Sequence, residues 1–510
     1  MPQPPELLPR DAHNRKLIAN VHPEDWKNPE PAERYNLVVL GAGTAGLISA
    51  AVAAGLGAKV ALVERHLMGG DCLNVGCVPS KSVIRASRLV EEARRARALG
   101  VPEFPRDAVD FGAAMERMRE IRARISTDDS AARFRDELGV DVFLGEARFT
   151  ARDAVEVGGR SLRFAKAVIA TGARAALPPI PGLAQARPRT NETIFELTER
   201  PRRLVVIGGG PIGAELAQAF CRLGCEVALV EAGPRLLPRE DADAAEIVQR
   251  RLAAEGVRLL LGASVEQVEA RGEGRMLRVR GADGALYEIP ADEILVAVGR
   301  LPNVERLGLE SAGVAVDARL GIAVDDHLRT TNPRVYAAGD VCMAWKFTHA
   351  ADAAAKIAVQ NALFLPTKRL SSLVMPWCTY TDPEVAHVWL SERDAQERAI
   401  AIDTYRVPLE QVNRAVTDGE EEGFVKLHVK RGSDRILGGT IVASHAGEMI
   451  SEVTLAIVGK LGLGTLLGVI HPYPTQAEGI KRVAGAWVRT RATPLVKRAL
   501  AGWMALRRRG

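Results

Sequence analysis

The stretch LVVLGAGTAG at residues 37–46 has a close copy, LVVIGGGPIG, at residues 204–213. Each copy continues, without a gap relative to the other, to a second apolar stretch that ends on an acidic residue 23 positions after the first glycine. This pattern predicts a buried strand, a glycine turn, a helix of small residues and a second buried strand. The chain therefore contains the βαβ fingerprint of dinucleotide binding twice.

The glycines of each fingerprint have separate tasks. The first makes the tight turn, the second lets the backbone approach a pyrophosphate, and the third lets helix and strand pack closely. The helix N-terminus then offers N–H groups to the phosphates, and the terminal acid can accept hydrogen bonds from ribose hydroxyls. Two dinucleotides in one chain predict an electron relay, most simply between a flavin and a nicotinamide dinucleotide.

A cysteine pair follows the first fingerprint, in the segment GGDCLNVGCVPSK at residues 69–81. A disulfide between Cys72 and Cys77 would close a very short loop and remove little entropy from the unfolded chain, so stabilisation is a poor reason for it. Exposed short-loop disulfides tend instead to be labile and catalytic. The alternative is two buried free cysteines, since free cysteine is among the most buried residue types. Beside two nucleotide fingerprints, the pair is predicted to be the third station of the relay.

Composition sets the outer limits of these predictions. With 510 residues, 47% of them apolar, the chain is long enough for about three or four domains. Six cysteines are too few for a secreted disulfide framework, and residues 1–20 contain no apolar leader segment, so we expect a cytoplasmic protein. Residues 35–58 are uncharged and long enough to span a membrane, but they contain five glycines and the first fingerprint. We therefore predict no membrane span there.

Positive charge is concentrated at the C-terminus. Residues 485–510 carry seven basic residues and no acidic one, whereas the whole chain has a net charge of +5, so the rest sums to −2. The body of the protein is therefore not expected to bind nucleic acid or other polyanions.

The chain resembles the pyridine nucleotide-disulfide oxidoreductases over about residues 34–486. The resemblance is closest to the mercuric reductase-like branch, which is related to dihydrolipoyl dehydrogenase and glutathione reductase. Besides the fingerprints, its motifs are residues 69–81, 170–172 (ATG), 298–303 (VGRLPN), 335–340 (VYAAGD) and 380–384 (YTDPE).

The resemblance implies an α/β fold with two Rossmann-like dinucleotide-binding domains, one for FAD and one for NAD(P), and an α+β C-terminal dimerisation domain. It also implies a homodimer, because in the family each active site combines cysteines of one subunit with C-terminal residues of the other. The predicted segments are an N-terminal extension (1–33), the FAD domain (34–185 and 305–371), the NAD(P) domain (186–304), the dimerisation domain (372–486) and a basic tail (487–510).

The cofactor assignments also follow from the resemblance, with FAD on the first fingerprint and NAD(P) on the second. Glu231 would repel a 2′-phosphate and so favours NADH, although the nearby Arg235 allows NADPH as well. The residues expected to bind FAD are Gly41, Gly43, Gly46, Glu64, Thr171, Gly172, Gly339 and Asp340. Those expected to bind NAD(P) are Gly208, Gly210, Gly213, Glu231 and Gly299.

The resemblance further assigns roles around the cysteine pair. Cys77 is implied to be the sulfur nearer the flavin and Cys72 the thiol that attacks the substrate. Lys81 is implied to place its charge near the flavin, in a pair with Glu215. Both thiols need lowered pKa values, which a helix N-terminus starting near residue 78 and a nearby positive charge would supply.

The C-terminal segment HPYPTQAE, residues 471–478, departs from the commonest family pattern. Where glutathione and lipoamide enzymes carry a histidine base five residues before a glutamate, this chain has Tyr473 before Glu478. A tyrosine with a pKa near 10 is a poor base at neutral pH, so ordinary disulfide reduction requires His471 to reach the substrate. His471 is equally well interpreted as an interface residue.

A tyrosine at this position is also found in mercuric reductases, but other metal-handling parts are missing from this sequence. It has no cysteine pair near the C-terminus and no cysteine in residues 1–33, and no resident metal site is predicted. The predicted function is an FAD-dependent NAD(P)H oxidoreductase that reduces a disulfide or a thiol-bound metal through Cys72 and Cys77. The alternatives are a dihydrolipoyl dehydrogenase-type reaction and a membrane- or protein-docked flavoprotein that delivers electrons.

The two ends of the chain extend beyond the segment that resembles the family, and one tryptophan departs from its usual residue. Residues 1–33 form an arm that either packs on the body or stays mobile. Thr493 and Pro494 predict the N-cap and first turn of a helix, residues 493–510, with one apolar side and several basic residues. Such a helix either packs on the dimer or makes peripheral contact with an anionic membrane. Trp389 stands where the family usually has glycine.

Overall fold

A computed structural model gives the fold and describes residues 6–102, 105, 108–272 and 274–508. The chain divides into two compact units: unit 1 is Met1–Ala232 with Val257–Leu373, and unit 2 is Gly233–Gly256 with Val374–Gly510. The domain boundaries expected from the sequence stay a prediction.

The described residues contain both strands and α-helices. The strands are β1 Tyr35–Leu40, β2 Val60–Glu64, β3 Asp141–Leu144, β4 Ala147–Ala151, β5 Ala154–Val157, β6 Arg160–Ile169, β7 Ala173–Ala175, β8 Arg203–Ile207, β9 Glu226–Glu231, β10 Arg258–Leu261, β11 Ser264–Arg271, β12 Gly274–Arg280, β13 Leu286–Ala291, β14 Glu293–Val296, β15 Arg300–Pro302, β16 Val316–Asp317, β17 Gly321–Ile322, β18 Val335–Ala337, β19 Pro376–Thr379, β20 Glu384–Trp389, β21 Ile402–Pro408, β22 Phe424–Lys430 and β23 Ile436–Ala443. The α-helices are α1 Ala12–Val21, α2 Thr44–Gly55, α3 Gly70–Asn74, α4 Cys77–Arg95, α5 Phe111–Ile125, α6 Ala131–Asp136, α7 Pro211–Arg222, α8 Ala242–Ala254, α9 Leu309–Ala312, α10 Thr348–Leu363, α11 Glu392–Glu397, α12 Asn413–Asp418, α13 Ala446–Val458, α14 Leu463–Gly468, α15 Glu478–Arg491 and α16 Pro494–Arg507.

The first fingerprint forms the centre of a parallel sheet in unit 1. Its strand order is β3-β2-β1-β6, with β18 pairing on β6, and the antiparallel strands β5 and β4 extend the sheet. Leu40, the last residue of β1, pairs with Val63 on one side and with Ile169 on the other. These buried apolar runs suit a parallel sheet covered on both faces. The carboxyl ends of β1, β2, β6 and β18 therefore meet at one edge, where such folds bind nucleotides.

The second fingerprint forms its own parallel sheet, with strand order β10-β9-β8-β14. β8 runs into α7 through Gly208, Gly209 and Gly210, as the pattern predicted. Residues 35–58 contain strand β1 and helix α2, which confirms that they are not a membrane span. Among the described residues, none of the helices combines the length and the apolar character that crossing a bilayer requires.

Unit 2 is built on an antiparallel sheet with strand order β19-β20-β23-β22-β21. Its core joins sheet residues such as Val425 and Ile441 to Val453 of α13 and Ile480 of α15. Together with unit 1, this arrangement confirms the predicted α/β class with an α+β C-terminal part. Trp389 ends β20 with a φ of 65°. That left-handed conformation is strained for a bulky residue and explains why the position suits glycine.

The two ends of the chain behave differently in the described residues. α1 of the N-terminal arm packs on unit 1, with Leu17 and Val21 completely buried. Of the two interpretations of the arm, the packed one is therefore confirmed for residues 6–33. α16 begins at Pro494 after the N-cap Thr493, whose hydroxyl accepts from the Val496 N–H at 3.4 Å, as predicted. Arg509 of the basic tail lies outside the described residues.

Candidate active site

A short helix, α3, and the start of the long helix α4 hold the cysteine pair. Cys72 lies in the single turn α3 and is half-buried, whereas Cys77 is the first residue of α4 and is exposed. The α4 N-terminus has no side-chain cap, so its N–H groups and the positive end of its dipole act at Cys77. The Cys77 sulfur also lies 3.3 Å from the Thr348 hydroxyl, at the start of α10. These features favour a negative charge on Cys77.

The two thiols respond to each other in opposite directions. The Cys72 thiol donates a hydrogen bond to the Cys77 sulfur, which, helped by Thr348 and Lys81, lowers the pKa of Cys77 to about 6. The same bond, together with burial, raises the pKa of Cys72. The expectation that both pKa values are lowered is therefore wrong for Cys72, because a pair of thiols this close shares one proton. In the reduced pair the Cys72 donor, Thr348 and Lys81 all favour a single negative charge on the Cys77 side.

Lys81 and Glu215 form the predicted ion pair. The Lys81 ammonium donates to the Glu215 carboxylate at 2.8 Å, and Glu215 is buried in α7. Lys81 lies one helical turn after Cys77, so the two residues share a face of α4. The structure thus brings Cys72, Cys77, Lys81 and Glu215 to one place within unit 1.

The residues around the first fingerprint fit the pyrophosphate and ribose of FAD. A Cβ on Gly41 would lie 2.4 Å from the Ala170 carbonyl oxygen, and the φ of Gly41 is +97°, so only glycine fits this turn. α2 begins directly after Gly43. Because glycine has no side chain to cap the helix, the first N–H groups of α2 have no side-chain acceptor at the N-cap. The Gly69 N–H donates to the Ala42 carbonyl at 2.8 Å, which places the cysteine segment against this loop.

The other predicted FAD residues lie at the same edge of the sheet. Glu64 accepts hydrogen bonds from the Ala42 N–H at 2.6 Å and the His66 N–H at 2.7 Å, which orients its carboxylate. Thr171 and Gly172 directly follow β6, and the Thr171 hydroxyl donates to the Asn303 carbonyl at 2.7 Å.

Asp340 follows β18 next to Gly339, and burial raises the pKa of its carboxyl. A buried carboxyl aimed at a nucleotide edge suits hydrogen bonding to polyol hydroxyls. The guanidinium of Arg300 pairs with Asp71, one residue before Cys72, and its Nε lies 3.4 Å from Asp340. Arg300 thereby links the cysteine segment to the predicted FAD residues.

The second fingerprint, whose residues are predicted to bind NAD(P), repeats this geometry. A Cβ on Gly213 would lie 1.9 Å from the Gly208 carbonyl oxygen, so the helix packs closely on the turn. A Cβ on Gly210 would meet nothing within 4 Å, which leaves open space in front of the α7 N-terminus. Glu231 ends β9 and accepts from the Gly209 N–H at 2.5 Å. Gly299 follows β14 with a φ of +140°.

The predicted C-terminal site residues all lie in unit 2. The His471 ring pairs with Glu452 of α13 at 3.0 Å and not with Glu478, and its side chain is only 4% exposed. The Tyr473 hydroxyl accepts a hydrogen bond from the Asn413 amide at 3.0 Å, and the residue is 70% exposed. Glu478 starts α15 and pairs with Arg482 at 2.9 Å. The roles of these three residues stay predictions.

Comparison with known proteins decides the family. Residues 35–355 match the pyridine nucleotide-disulphide oxidoreductase family, and residues 375–484 match its dimerisation domain. This chain belongs to the pyridine nucleotide-disulphide oxidoreductases. It is 36% identical to a mercuric reductase from Bacillus cereus over 476 residues, covering 93% of this chain and 75% of that protein. It is 33% identical to a dihydrolipoyl dehydrogenase from Chlamydia muridarum, covering 88% of this chain and 95% of that protein.

Solved structures give the same result. The HOCl-induced flavoprotein disulfide reductase RclA from Escherichia coli, in a Cu(II) complex, superposes with a TM-score of 0.79 at 27% identity, covering 89% of this chain and 100% of that chain. As a pyridine nucleotide-disulphide oxidoreductase, the protein is an enzyme that uses FAD and NAD(P)H. FAD, when bound, supplies two-electron transfer between the nicotinamide and an acceptor.

Two residues beside the dithiol were missed by the sequence analysis of this oxidoreductase. Thr348 gave no signal except its place nine residues after Gly339, before an alanine-rich helix. The Asp129 carboxylate lies next to Gly69, since a Cβ added to Gly69 would be 3.0 Å from one of its oxygens. Burial raises the pKa of Asp129 to about 6. When ionised, Asp129 repels a thiolate at Cys72 and so raises the pKa of Cys72 further. Asp129 is distant from Cys72 in sequence and belongs to no motif.

Two-electron-reduced oxidoreductase should show a thiolate-to-flavin absorption band that titrates with a midpoint near pH 6. The pKa of Cys77 is lowered to about 6 from an ordinary value of 9, so its thiolate is present above that pH and is lost as the pH falls through it. Anaerobic spectra of NADH-reduced protein across pH 4.5–9 measure the midpoint. Cys72→Ala cannot form the disulfide, so its Cys77 is a free thiol beside oxidised FAD and the band is measured without NADH. Because this variant lacks the hydrogen-bond donor, its midpoint should move upward. A midpoint that stays unchanged in that variant would rule out the shared proton.

Gly210→Ala should weaken nicotinamide binding without disturbing the fold of the oxidoreductase. The φ of Gly210 is −71° and an added Cβ meets no protein atom within 4 Å, so alanine is tolerated by the chain. The methyl group would nevertheless fill the space in front of the helix that a pyrophosphate needs, so KM for NADH should rise on the order of tenfold, about 1.4 kcal/mol of binding free energy. Steady-state kinetics and the FAD content measure the two effects.

The matched control for Gly210→Ala is Gly55→Ala. Gly55 lies in α2, and a Cβ there also meets nothing within 4 Å, but the residue is not next to a fingerprint turn. It should leave KM for NADH unchanged. An equal rise in both variants would mean that the Gly210 effect is not local to the fingerprint.

Proposed function

We propose that the enzyme passes two electrons from NAD(P)H through FAD to the Cys72–Cys77 pair, and from there to a soft metal ion held by thiols, as a mercuric reductase-like activity. It does so as a homodimer, since the chain carries the family's dimerisation domain. The preferred donor is NADH, because the Glu231 carboxylate at the end of β9 disfavours a 2′-phosphate. Two observations support the acceptor class: a dithiol that shares one proton, and a tyrosine at the sequence position where the family's base stands.

The reduced pair is a ready ligand for a soft metal ion. Cys77 supplies a thiolate at neutral pH, and thiolates are the ligands that soft metals prefer. When a metal bis-thiolate exchanges its ligands for Cys72 and Cys77, the shared proton leaves with one of the two released thiols. Over the full cycle with Hg(II), the bis-thiolate, NAD(P)H and one proton give Hg(0), NAD(P)+ and two free thiols.

The C-terminal residues favour an acceptor that needs no general base. The Tyr473 hydroxyl already accepts a hydrogen bond from the Asn413 amide, and a neutral phenol is a poor general base. The His471 ring is directed to Glu452 and to the Val469 carbonyl at 3.4 Å. Reduction of a disulfide requires a general acid that protonates the leaving thiolate, whereas in ligand exchange at a metal the shared proton of the dithiol leaves with a released thiol. The dihydrolipoyl dehydrogenase-type reaction is therefore the second choice.

An acceptor panel tests this proposal. NADH oxidation is measured with Hg(II) bis-cysteinate, lipoamide and glutathione disulfide at equal concentrations, with wild type and Tyr473→His. We expect the highest turnover with the Hg(II) complex in wild type, and a gain with lipoamide only in the histidine variant. Turnover with lipoamide above that with Hg(II) in wild type would contradict the metal proposal and favour the dihydrolipoyl dehydrogenase-type reaction.

The exposed helix α16 favours a second candidate, a flavoprotein that also docks on an anionic membrane surface to deliver electrons. Its apolar side chains are exposed, including Leu495, Leu500 and Trp503 at 73%, 53% and 58%. Lys497 and Arg498 lie on the same helix, and no acidic residue does. Apolar and basic side chains together are what interfacial helices present to anionic lipid.

Vesicle sedimentation tests the second candidate. Full-length protein and a variant lacking residues 493–510 are mixed with vesicles of anionic or neutral phospholipid. Docking requires that only the full-length protein sediments, that it does so with anionic vesicles, and that salt releases it. Equal sedimentation of both proteins would contradict the membrane role and would favour the alternative that α16 packs on the dimer.

A further inference from the structure

The N-terminal arm is fastened to the helix that supports the cysteine segment. Asp11 caps α1 by accepting from the Asn14 N–H at 2.8 Å, and its second oxygen accepts from Arg119 of α5 at 2.5 Å. Further along, the Asn20 amide donates to the Ser126 hydroxyl at 2.8 Å. α1 and α5 are therefore joined along their length by polar contacts.

Arg122 of α5 makes the central contact of this set. Its Nη1 donates to the Asn74 carbonyl at 2.7 Å, and its Nη2 donates to the Asn14 Oδ1 at 2.6 Å. The residue is only 3% exposed. A buried guanidinium forms strong hydrogen bonds in a fixed fork, so Asn14 of α1 and Asn74 of α3 are held by one rigid group.

Asn74 in turn fixes the turn that carries Cys72. Its amide donates to the carbonyls of Met68 at 3.0 Å and Gly70 at 2.9 Å, which closes α3 on itself. The Met68 N–H donates to the Val21 carbonyl at 3.2 Å, where α1 ends. The N-terminal arm therefore reaches the cysteine segment twice, once through its own backbone and once through Arg122.

We propose that Arg122 is a positioning residue that couples the N-terminal arm to the redox segment and holds Cys72 in register with Cys77. The proposal rests on the proposed redox role of the two cysteines. Without the Arg122–Asn14 bond, the guanidinium is no longer oriented on the Asn74 carbonyl, and the last turn of α3 loses its external support. The distance between the Cys72 and Cys77 sulfur atoms then varies, while the residues of the two dinucleotide fingerprints keep their own contacts.

The test compares three substitutions on the full-length holoenzyme. Asn14→Ala removes the acceptor, Arg122→Lys keeps the charge but loses the fork, and Asn14→Asp keeps an oxygen acceptor for Arg122. Because misplacement of a reacting group by about 1 Å costs up to 10²-fold, turnover with a dithiol-dependent acceptor should fall on the order of tenfold in the first two variants. The thiolate-to-flavin band of the reduced protein should weaken in the same variants. Asn14→Asp and Asn14→Ala both lose the amide's own bond to the Pro9 carbonyl at 2.8 Å, so Asn14→Asp should stay nearer to wild type than Asn14→Ala in both readouts.

Asn28→Ala is the matched control within the same arm. The Asn28 amide bonds the backbone of Leu144 at 2.8 Å and 3.0 Å, away from the cysteine segment. It should leave the band and the turnover unchanged. A normal band in both Asn14→Ala and Arg122→Lys, or an equal loss in Asn28→Ala, would overturn the proposal. The band needs NADH and no acceptor, so this test stays readable even if the metal-acceptor proposal fails.

Discussion

Cys72→Ser should lower turnover with Hg(II) bis-cysteinate and with lipoamide by about 10³-fold or more, since removal of a covalent or ligating nucleophile leaves only binding effects. A serine hydroxyl forms neither a disulfide with Cys77 nor a bond to a soft metal. It still donates a hydrogen bond, so the low pKa of Cys77 that depends on the Cys72 donor should be largely kept. NADH oxidation by ferricyanide, which takes electrons without the dithiol, should stay near the wild-type rate.

The control for Cys72→Ser is the same change at Cys221, a half-buried cysteine at the end of α7. Cys221→Ser should keep turnover with every acceptor within about twofold of wild type, as expected for a substitution outside the reacting group. If Cys72→Ser retained its Hg(II) and lipoamide rates, the electrons would have to leave the enzyme by another route and the dithiol mechanism would be wrong.

Lys426→Met should lower the free energy of unfolding of unit 2 by about 3–5 kcal/mol, the usual cost of leaving a buried charge without its partner. Lys426 is 2% exposed, and its ammonium lies 2.9 Å from Asp241, 2.8 Å from Asp243 and 3.3 Å from Glu392. Although burial opposes it, Lys426 lowers the pKa of Asp241, so the carboxylate stays ionised. Methionine fills the volume but provides no charge. Urea unfolding followed by tryptophan fluorescence measures the loss.

Lys356→Met provides the matched control for Lys426→Met. Its ammonium lies 2.7 Å from Asp352, but the side chain is 57% exposed and water screens the pair. The loss there should not exceed about 1 kcal/mol. Equal losses at the two positions would mean that the buried Asp241 carboxylate does not depend on Lys426. The Lys426 ammonium contacts Asp241 and Glu392, two of three side chains, with His428, that lie close enough together to suit a metal ion.

The parts of this fold that were predictable depend on local sequence. A glycine turn between two buried strands is specified within about 30 residues, so both fingerprints and their sheet edges were predicted from the sequence. The cysteine segment and its Lys81–Glu215 pair followed from the family resemblance. Their geometry in unit 1 agrees with that expectation.

The parts that were not predictable depend on side chains brought together across long sequence separations. Arg122 forms a hydrogen bond with Asn14, which is 108 positions away in the sequence, and Cys77 contacts Thr348, which is 271 positions away. No periodicity or spacing marks such pairs, because each partner lies on an ordinary helix of its own. The partner of His471 was missed for the same reason, since Glu452 lies on another helix, α13.

Counting thiols before and after reduction tests the central claim, that the Cys72–Cys77 pair accepts the electrons of NADH. Oxidised enzyme is treated anaerobically with one equivalent of NADH, denatured in excess N-ethylmaleimide, and analysed by peptide mass spectrometry. We predict that Cys72 and Cys77 are unlabelled before NADH and both labelled after it, while labelling of Cys221, Cys225, Cys342 and Cys378 does not change. Unchanged labelling of Cys72 and Cys77 on full reduction by NADH would contradict the account.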